Sequence, residues 1–137
     1  MDERQNEVRI LAIASGPMRT AIARQLEPLN PSIRCVTKPA EIAHLVSEGD
    51  VFEVAIFPAA LADSEWWAFW GELSLLNPRP AILVYARATS FELWSSVLDL
   101  GGYDVIVEPF SDREIQDAVR RAALSFRGRL ENHAPQS

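Results

Sequence analysis

Gly101–Phe110 reads GGYDVIVEPF. The two glycines stop a helix, Tyr103 to Val107 has the β-branched content of a strand, and Glu108-Pro109-Phe110 closes it, because proline has no amide to extend a ladder. Helix signals stand on both sides. Upstream, Thr89-Ser90-Phe91-Glu92 has capping-box spacing, in which Thr89 and Glu92 satisfy each other's free amides. Downstream, Ser111-Asp112-Arg113-Glu114 repeats that spacing and opens a helix with Ile115, Ala118, Val119, Ala122 and Phe126 inward. Helix, strand and helix joined by short connections form the repeating unit of a parallel sheet.

The same unit recurs towards the N-terminus. Val8 to Ile13 (VRILAI) is a buried-strand pattern, and Pro17 suits the first turn of a helix carrying Met18, Ala21, Ile22, Leu26 and Leu29. Ser32 to Val36 (SIRCV) is a second strand. Pro39 opens a helix that Gly49 stops. Phe52 to Phe57 (FEVAIF) is a third strand, and Asp63 or Ser64 caps a helix running through Trp66, Phe69, Trp70, Leu73 and Leu76. Ala81 to Tyr85 (AILVY) is a fourth. Five strands alternating with five helices predict an α/β fold with a five-stranded parallel sheet and helices on both faces. Right-handed crossovers favour the flavodoxin-like order 2-1-3-4-5, whose sites lie at the C-terminal strand ends.

The chain has 137 residues, 48% of them hydrophobic, enough for one domain with a real core. Residues 1–7 read as a flexible N-terminus, 8–128 as the domain and 129–137 as a polar tail. The formal charge of −6 disfavours nonspecific nucleic-acid binding. Arg120, Arg121, Arg127 and Arg129 read as the wet face of the last helix. With Cys35 alone no internal disulfide forms, which fits a reducing cytoplasm. The acidic N-terminus is unlike a signal peptide, and no apolar run reaches membrane-spanning length. His44 and His133 read as surface residues, without metal-ligand spacing. No phosphate-cradling glycine motif follows any strand, so no cofactor is implied.

From Val8 to about Arg127 the chain resembles a response-regulator receiver domain, through its element order, its spacing and the Glu108-Pro109-Phe110 ending. The resemblance implies a cis bond before Pro109. It also allows each functional position to be checked. The acidic pair that holds Mg²⁺ falls on Ala14 and Ser15, and the phosphate-accepting aspartate on Pro58, five residues after Glu53. The hydroxyl that senses phosphate falls on Tyr85, the lysine on Glu108, and the aromatic switch on Val105. Every position is substituted. Phosphoryl transfer to a carboxylate needs nucleophile, divalent ion and cation together, so the resemblance implies a degenerate receiver that is not phosphorylated at the usual site and is not an enzyme.

Two surfaces remain to be explained. The helix Phe91 to Leu100 has too many apolar residues for one buried face, and an exposed apolar patch usually means a partner. Phe91, Trp94, Leu98 and Val105 are the candidates. The resemblance places them on the family's usual dimer or output face, formed by the fourth helix, fifth strand and fifth helix. Trp67, off the buried stripe of its helix, is either covered by a loop or part of a binding surface. The leading expectation is a phosphorylation-independent protein-binding module in bacterial signalling or regulation, with a homodimer formed through the face of the fourth helix, fifth strand and fifth helix. A second expectation refits the strand-end pocket for a small molecule, with Ser15, Tyr85 and Glu108 as its only polar side chains and Pro58 facing Pro109. In that pocket Glu108 is a ligand-binding or ion-pairing carboxylate; otherwise it is a solvated strand-end residue. A third moves a phosphoacceptor to Asp63 or Asp50.

Overall fold

The computed structural model describes residues 8–61 and 63–132, with the side chains of residues 63 and 132 excepted. The chain alternates β1 (Arg9–Ile13), α1 (Gly16–Gln25), β2 (Ser32–Val36), α2 (Pro39–Glu48), β3 (Val54–Pro58), α3 (Asp63–Ser74), β4 (Ala81–Ala86), α4 (Phe91–Asp99), β5 (Asp104–Val107) and α5 (Asp112–Asn132). The strands form one sheet in the order β2-β1-β3-β4-β5, and every pair is parallel. This is the expected flavodoxin-like arrangement. His133 and the expected flexible segment at residues 1–7 lie outside the described residues.

The sheet divides the apolar side chains into two layers. Ile10, Ala12, Val54, Ile56, Leu83 and Tyr85 pack with Ile22 and Leu26 of α1 and with Ile115, Val119 and Ala122 of α5. Leu11, Ala55, Phe57, Ile82 and Val84 pack with Ile42 and Leu45 of α2, Phe69, Trp70 and Leu73 of α3, and Val97 of α4. The alternation follows from the strand's two-residue period. Strands covered on both faces read as continuous apolar runs, and every residue of β4 is buried. Each large side chain so buried stabilises the fold by roughly 1.5–3 kcal/mol before conformational entropy is subtracted.

Element ends differ from the sequence expectation where local chemistry has two solutions. Ser90, not Thr89, caps α4, its hydroxyl accepting from the Leu93 amide at 3.1 Å. The Ser111 box forms as expected: Ser111 N–H donates to Glu114 Oε1 (2.9 Å), and Glu114 N–H donates to Ser111 Oγ (3.1 Å). α2 has its own N-terminal lock, with Glu41 accepting from the amides of Thr37 and Lys38. β3 begins at Val54 and takes in Pro58, while Phe52 is buried ahead of it. α5 continues through Asn132, beyond the expected domain edge at residue 128.

Two of the last helix's arginines are structural rather than simply wet. Arg127 pairs with Glu53 through two contacts, Nη2–Oε1 at 3.0 Å and a shorter Nε–Oε2 contact, tying α5 to the segment that leads into β3. Arg129 donates to the Arg79 carbonyl at 2.8 Å.

The Gly-Gly pair does two different jobs. Gly101 has φ +93°, a left-handed conformation that ends α4. Gly102 is required for space: its amide donates to the Val97 carbonyl at 2.7 Å, and a Cβ there would lie 2.4 Å from Val97 Cγ1 and 2.9 Å from that carbonyl oxygen. Substituting Gly102→Ala is therefore expected to destabilise the protein by about 1–3 kcal/mol. Urea unfolding of the variant beside the parent measures this, and a change below about 0.5 kcal/mol would show that α4 yields freely.

Candidate functional site

In an open parallel sheet the C-terminal strand ends are where the chain can present side chains into a crevice. Here those ends are knitted by backbone bonds. Ala14 N–H donates to Val36 O (3.3 Å), Ala59 N–H to Tyr85 O (2.8 Å) and Glu108 N–H to Ala86 O (2.7 Å). Pro58 lies beside Tyr85 in register, and Tyr85 beside Ile106. The Glu108-Pro109 bond is cis, as expected, and so is Asn77-Pro78.

Two clefts open at this end instead of one pocket. The first, about 530 Å³, is lined by Ala14, Ser15, Thr37, Pro58, Glu65, Tyr85 and Arg87, among others. The second, about 520 Å³ and mainly apolar, lies beside α1 and contains Met18, Gln25, Glu108, Pro109 and Phe110. Arg87, on the loop after β4, lines both. The expected grouping of Ser15, Tyr85 and Glu108 is therefore divided, and so is the expected facing of Pro58 and Pro109. Thr37, Glu65 and Arg87 add polar groups that the sequence reading missed. Nothing about these positions is periodic, so only their place after a strand or at the start of a helix could have singled them out.

Tyr85 is a structural member of this site. Its ring is buried, and its hydroxyl donates to the Ile13 carbonyl at 3.1 Å, tying β4 to β1 across β3. Burial, and then the negative charge of Glu108, push its pKa up to about 12. In the second cleft Gln25 is buried and donates to the Phe110 carbonyl and to Asp112 Oδ1, both at 3.0 Å, fastening α1 to the start of α5. Glu65 is the one carboxylate lining the first cleft among the described residues. No group of three or more His, Cys, Asp or Glu side chains with metal-ligand geometry occurs among them. Asp50 follows α2 at the opposite end of the sheet, and the side chain of Asp63 lies outside the described residues.

The expected surface on α4 is present with one exchange. Phe91, Trp94 and Leu98 are exposed by 79%, 44% and 37%. Val105 is half-buried, packed in the layer that includes Leu93 and Leu100, whereas Val107 on edge strand β5 is 37% exposed. Strand parity accounts for the exchange. Positions 105 and 107 share a face, and the outer one extends beyond the helix that covers the inner one. Trp67 is 58% exposed on α3. His44 is exposed, as expected, with Nε2 at 3.3 Å from Glu48 Oε1.

This architecture is that of receiver domains. A pilus assembly-related protein of Burkholderia pseudomallei superposes with a TM-score of 0.72 at 24% identity, over 88% of this chain and 92% of that one. A CheY-like response-regulator receiver domain of Methanospirillum hungatei gives 0.74 at 18% identity, over 90% and 98%. The receiver domain of a Pseudomonas aeruginosa sensor histidine kinase, whose structure holds a magnesium ion in its active-site cleft, gives 0.69 at 17% identity, over 85% and 98%. No protein-family model matches the chain, and no curated protein does. At these identities the likeness is one of fold. Among the described residues, no helix is long and apolar enough to cross a membrane.

Tyr85 gives a test of the site's construction. Its folded pKa, about 12, lies above the ordinary phenol value of 10.0, so folding favours the neutral phenol. The stability this contributes is complete below pH 10 and falls as pH rises from there through the folded value. Tyr85→Phe is expected to lose about 1 kcal/mol at neutral pH, from the bond to Ile13, and to show a shallower alkaline decline. Urea unfolding at neutral pH and across the alkaline range reads both. An equal alkaline slope in the two proteins would show that Tyr85 is not the titrating group.

Proposed function

We propose that this protein is a pseudo-receiver: a phosphorylation-independent, non-enzymatic interaction module on a receiver scaffold, working in bacterial signalling through contact with other proteins. The observation that carries this reading is the set of groups at the strand ends. Magnesium demands several hard oxygen ligands in near-octahedral order, and Ala14, Ser15 and Pro58 supply no carboxylate. The donor set does not fit the ion. Among the described residues Glu65 alone is a carboxylate of the first cleft's lining. Pro58 has no nucleophile, and Glu108 places negative charge where the resemblance implies a lysine. A dianionic phosphoryl group there would be repelled instead of held.

Contact with a partner is the function left to such a scaffold, and its surface supports one. Phe91, Trp94, Leu98 and Val107 form an apolar strip along α4 and edge strand β5. Monomeric proteins seldom expose such strips without use. The protein self-associates through this strip, extended by α5, within the domain of residues 8–128. The small-molecule alternative is weaker, because Tyr85 is already bonded to Ile13 and Glu108 lies in the other cleft. A cytoplasmic location, with neither membrane nor nucleic acid as partner, belongs to the same proposal.

Two measurements test the two halves. Incubation with acetyl phosphate and Mg²⁺, followed by intact-mass analysis, is expected to give no phosphoprotein. Magnesium-dependent incorporation would overturn phosphorylation independence, and the labelled peptide would show whether Asp50 or Asp63 is the acceptor. Light scattering across a concentration series is expected to show a dimer that Trp94→Glu reduces to a monomer of unchanged circular dichroism. A parent protein that stays monomeric at high concentration would remove self-association.

A further inference from the structure

α4 has two unlike flanks. Phe91, Trp94 and Leu98, spaced three and four apart, occupy one. Glu92, Ser96 and Asp99 have the same spacing on the other, which faces α3. There a cleft of about 470 Å³ is lined by Leu61, Trp66, Trp67, Ser96 and Asp99, among others. Its walls are chemically opposed: two indoles on the α3 side, a hydroxyl and a carboxylate on the α4 side.

The indoles form a corner. Trp66 and Trp67 meet edge to face, with centroids 5.0 Å apart and planes at 71°. Trp66 is held in turn by Trp70, stacked on it at 4.9 Å and 4°, and by Phe57, edge-on at 5.2 Å. Trp66 is thus fixed from behind, and Trp67 stands 58% exposed beside it. The same aromatic column already takes a guanidinium within the molecule, where Arg79 lies 5.9 Å from the Trp70 ring centroid.

We propose that this cleft receives an arginine or lysine side chain from a basic segment of a partner protein. The electron-rich indole face attracts a cation, and Asp99 supplies the opposing charge. Glu92, two turns away and about 10 Å along the same flank, favours a second basic residue in the incoming segment. An anionic ligand would be repelled by both carboxylates and by the chain's net charge of −6. A purely apolar side chain would desolvate Asp99 without pairing it. The site is separate from the apolar strip on the opposite flank of α4, and it stands or falls apart from the phosphorylation and dimer readings.

The test is a titration of the intact protein, ¹⁵N-labelled, with hexa-arginine, following the indole N–H resonances. Expected is a saturable shift of the Trp66 and Trp67 signals in the millimolar range or below. Trp67→Ala and Asp99→Asn should each weaken it at least about fivefold. Both positions are exposed, so these variants keep the fold, and the remaining indole signals monitor it. No shift of these signals, or a shift equal in the variants, overturns the proposal. Saturation by tetramethylammonium without a response to the peptide also overturns it, by assigning the cleft to small cations. Hexa-glutamate is the control and should leave the indoles unmoved.

Discussion

Two interior strands of the sheet, β3 and β4, are closed off from water on both faces, and this constraint governs the rest of the molecule. Nearly every side chain of β3 and all of those of β4 are buried between helical layers. A backbone polar group left unpaired there would cost about as much as a lost hydrogen bond. The ladders must therefore be complete, and polar chemistry is confined to the strand ends, the loops and the outer faces of the helices. The two edges differ. β2 and β5 have a neighbour on only one side, and their outer residues, such as Arg34 and Val107, reach solvent.

The two ends of the sheet are secured by different chemistry. At the N-terminal end, Glu53 joins Arg127 of α5 and also accepts from the Arg9 amide at 3.3 Å, a charge-assisted link between the last helix and two strands. At the C-terminal end, a neutral phenol bonds a neutral carbonyl. Ala14 and Tyr85 are buried there, with Pro58 half-buried beside them, so apolar packing extends towards the clefts.

Most of the fold was legible because periodicity reports burial. The continuous apolar runs of VRILAI and AILVY and the three-and-four spacing in each helix located strands and helices alike. Glycine and proline marked their limits. What stayed hidden depended on the third dimension. Thr89 and Ser90 can both cap, and only the path of the backbone selected Ser90. Val105 and Val107 have the same parity, so only the reach of α4 separates the covered one from the exposed one. Arg87 and Arg79 sit in loops without any pattern, yet one borders both clefts and the other donates to Leu100 O at 2.8 Å and lies against Trp70. The divided pocket was invisible for the same reason. Strand-end residues adjacent in alignment point into different clefts once α1 and the loop after β4 come between them.

The Trp66–Trp70 pair has a practical consequence. Two indoles lying almost parallel at 4.9 Å share their electronic transitions, so their ultraviolet dichroism differs from that of isolated rings. The molecule thereby contains its own optical gauge of how α3 seats on the sheet, without any attached dye. Because Trp66 also touches Trp67 at the rim of the α3–α4 cleft, an event at the surface would be written into the same spectrum as a change in the interior.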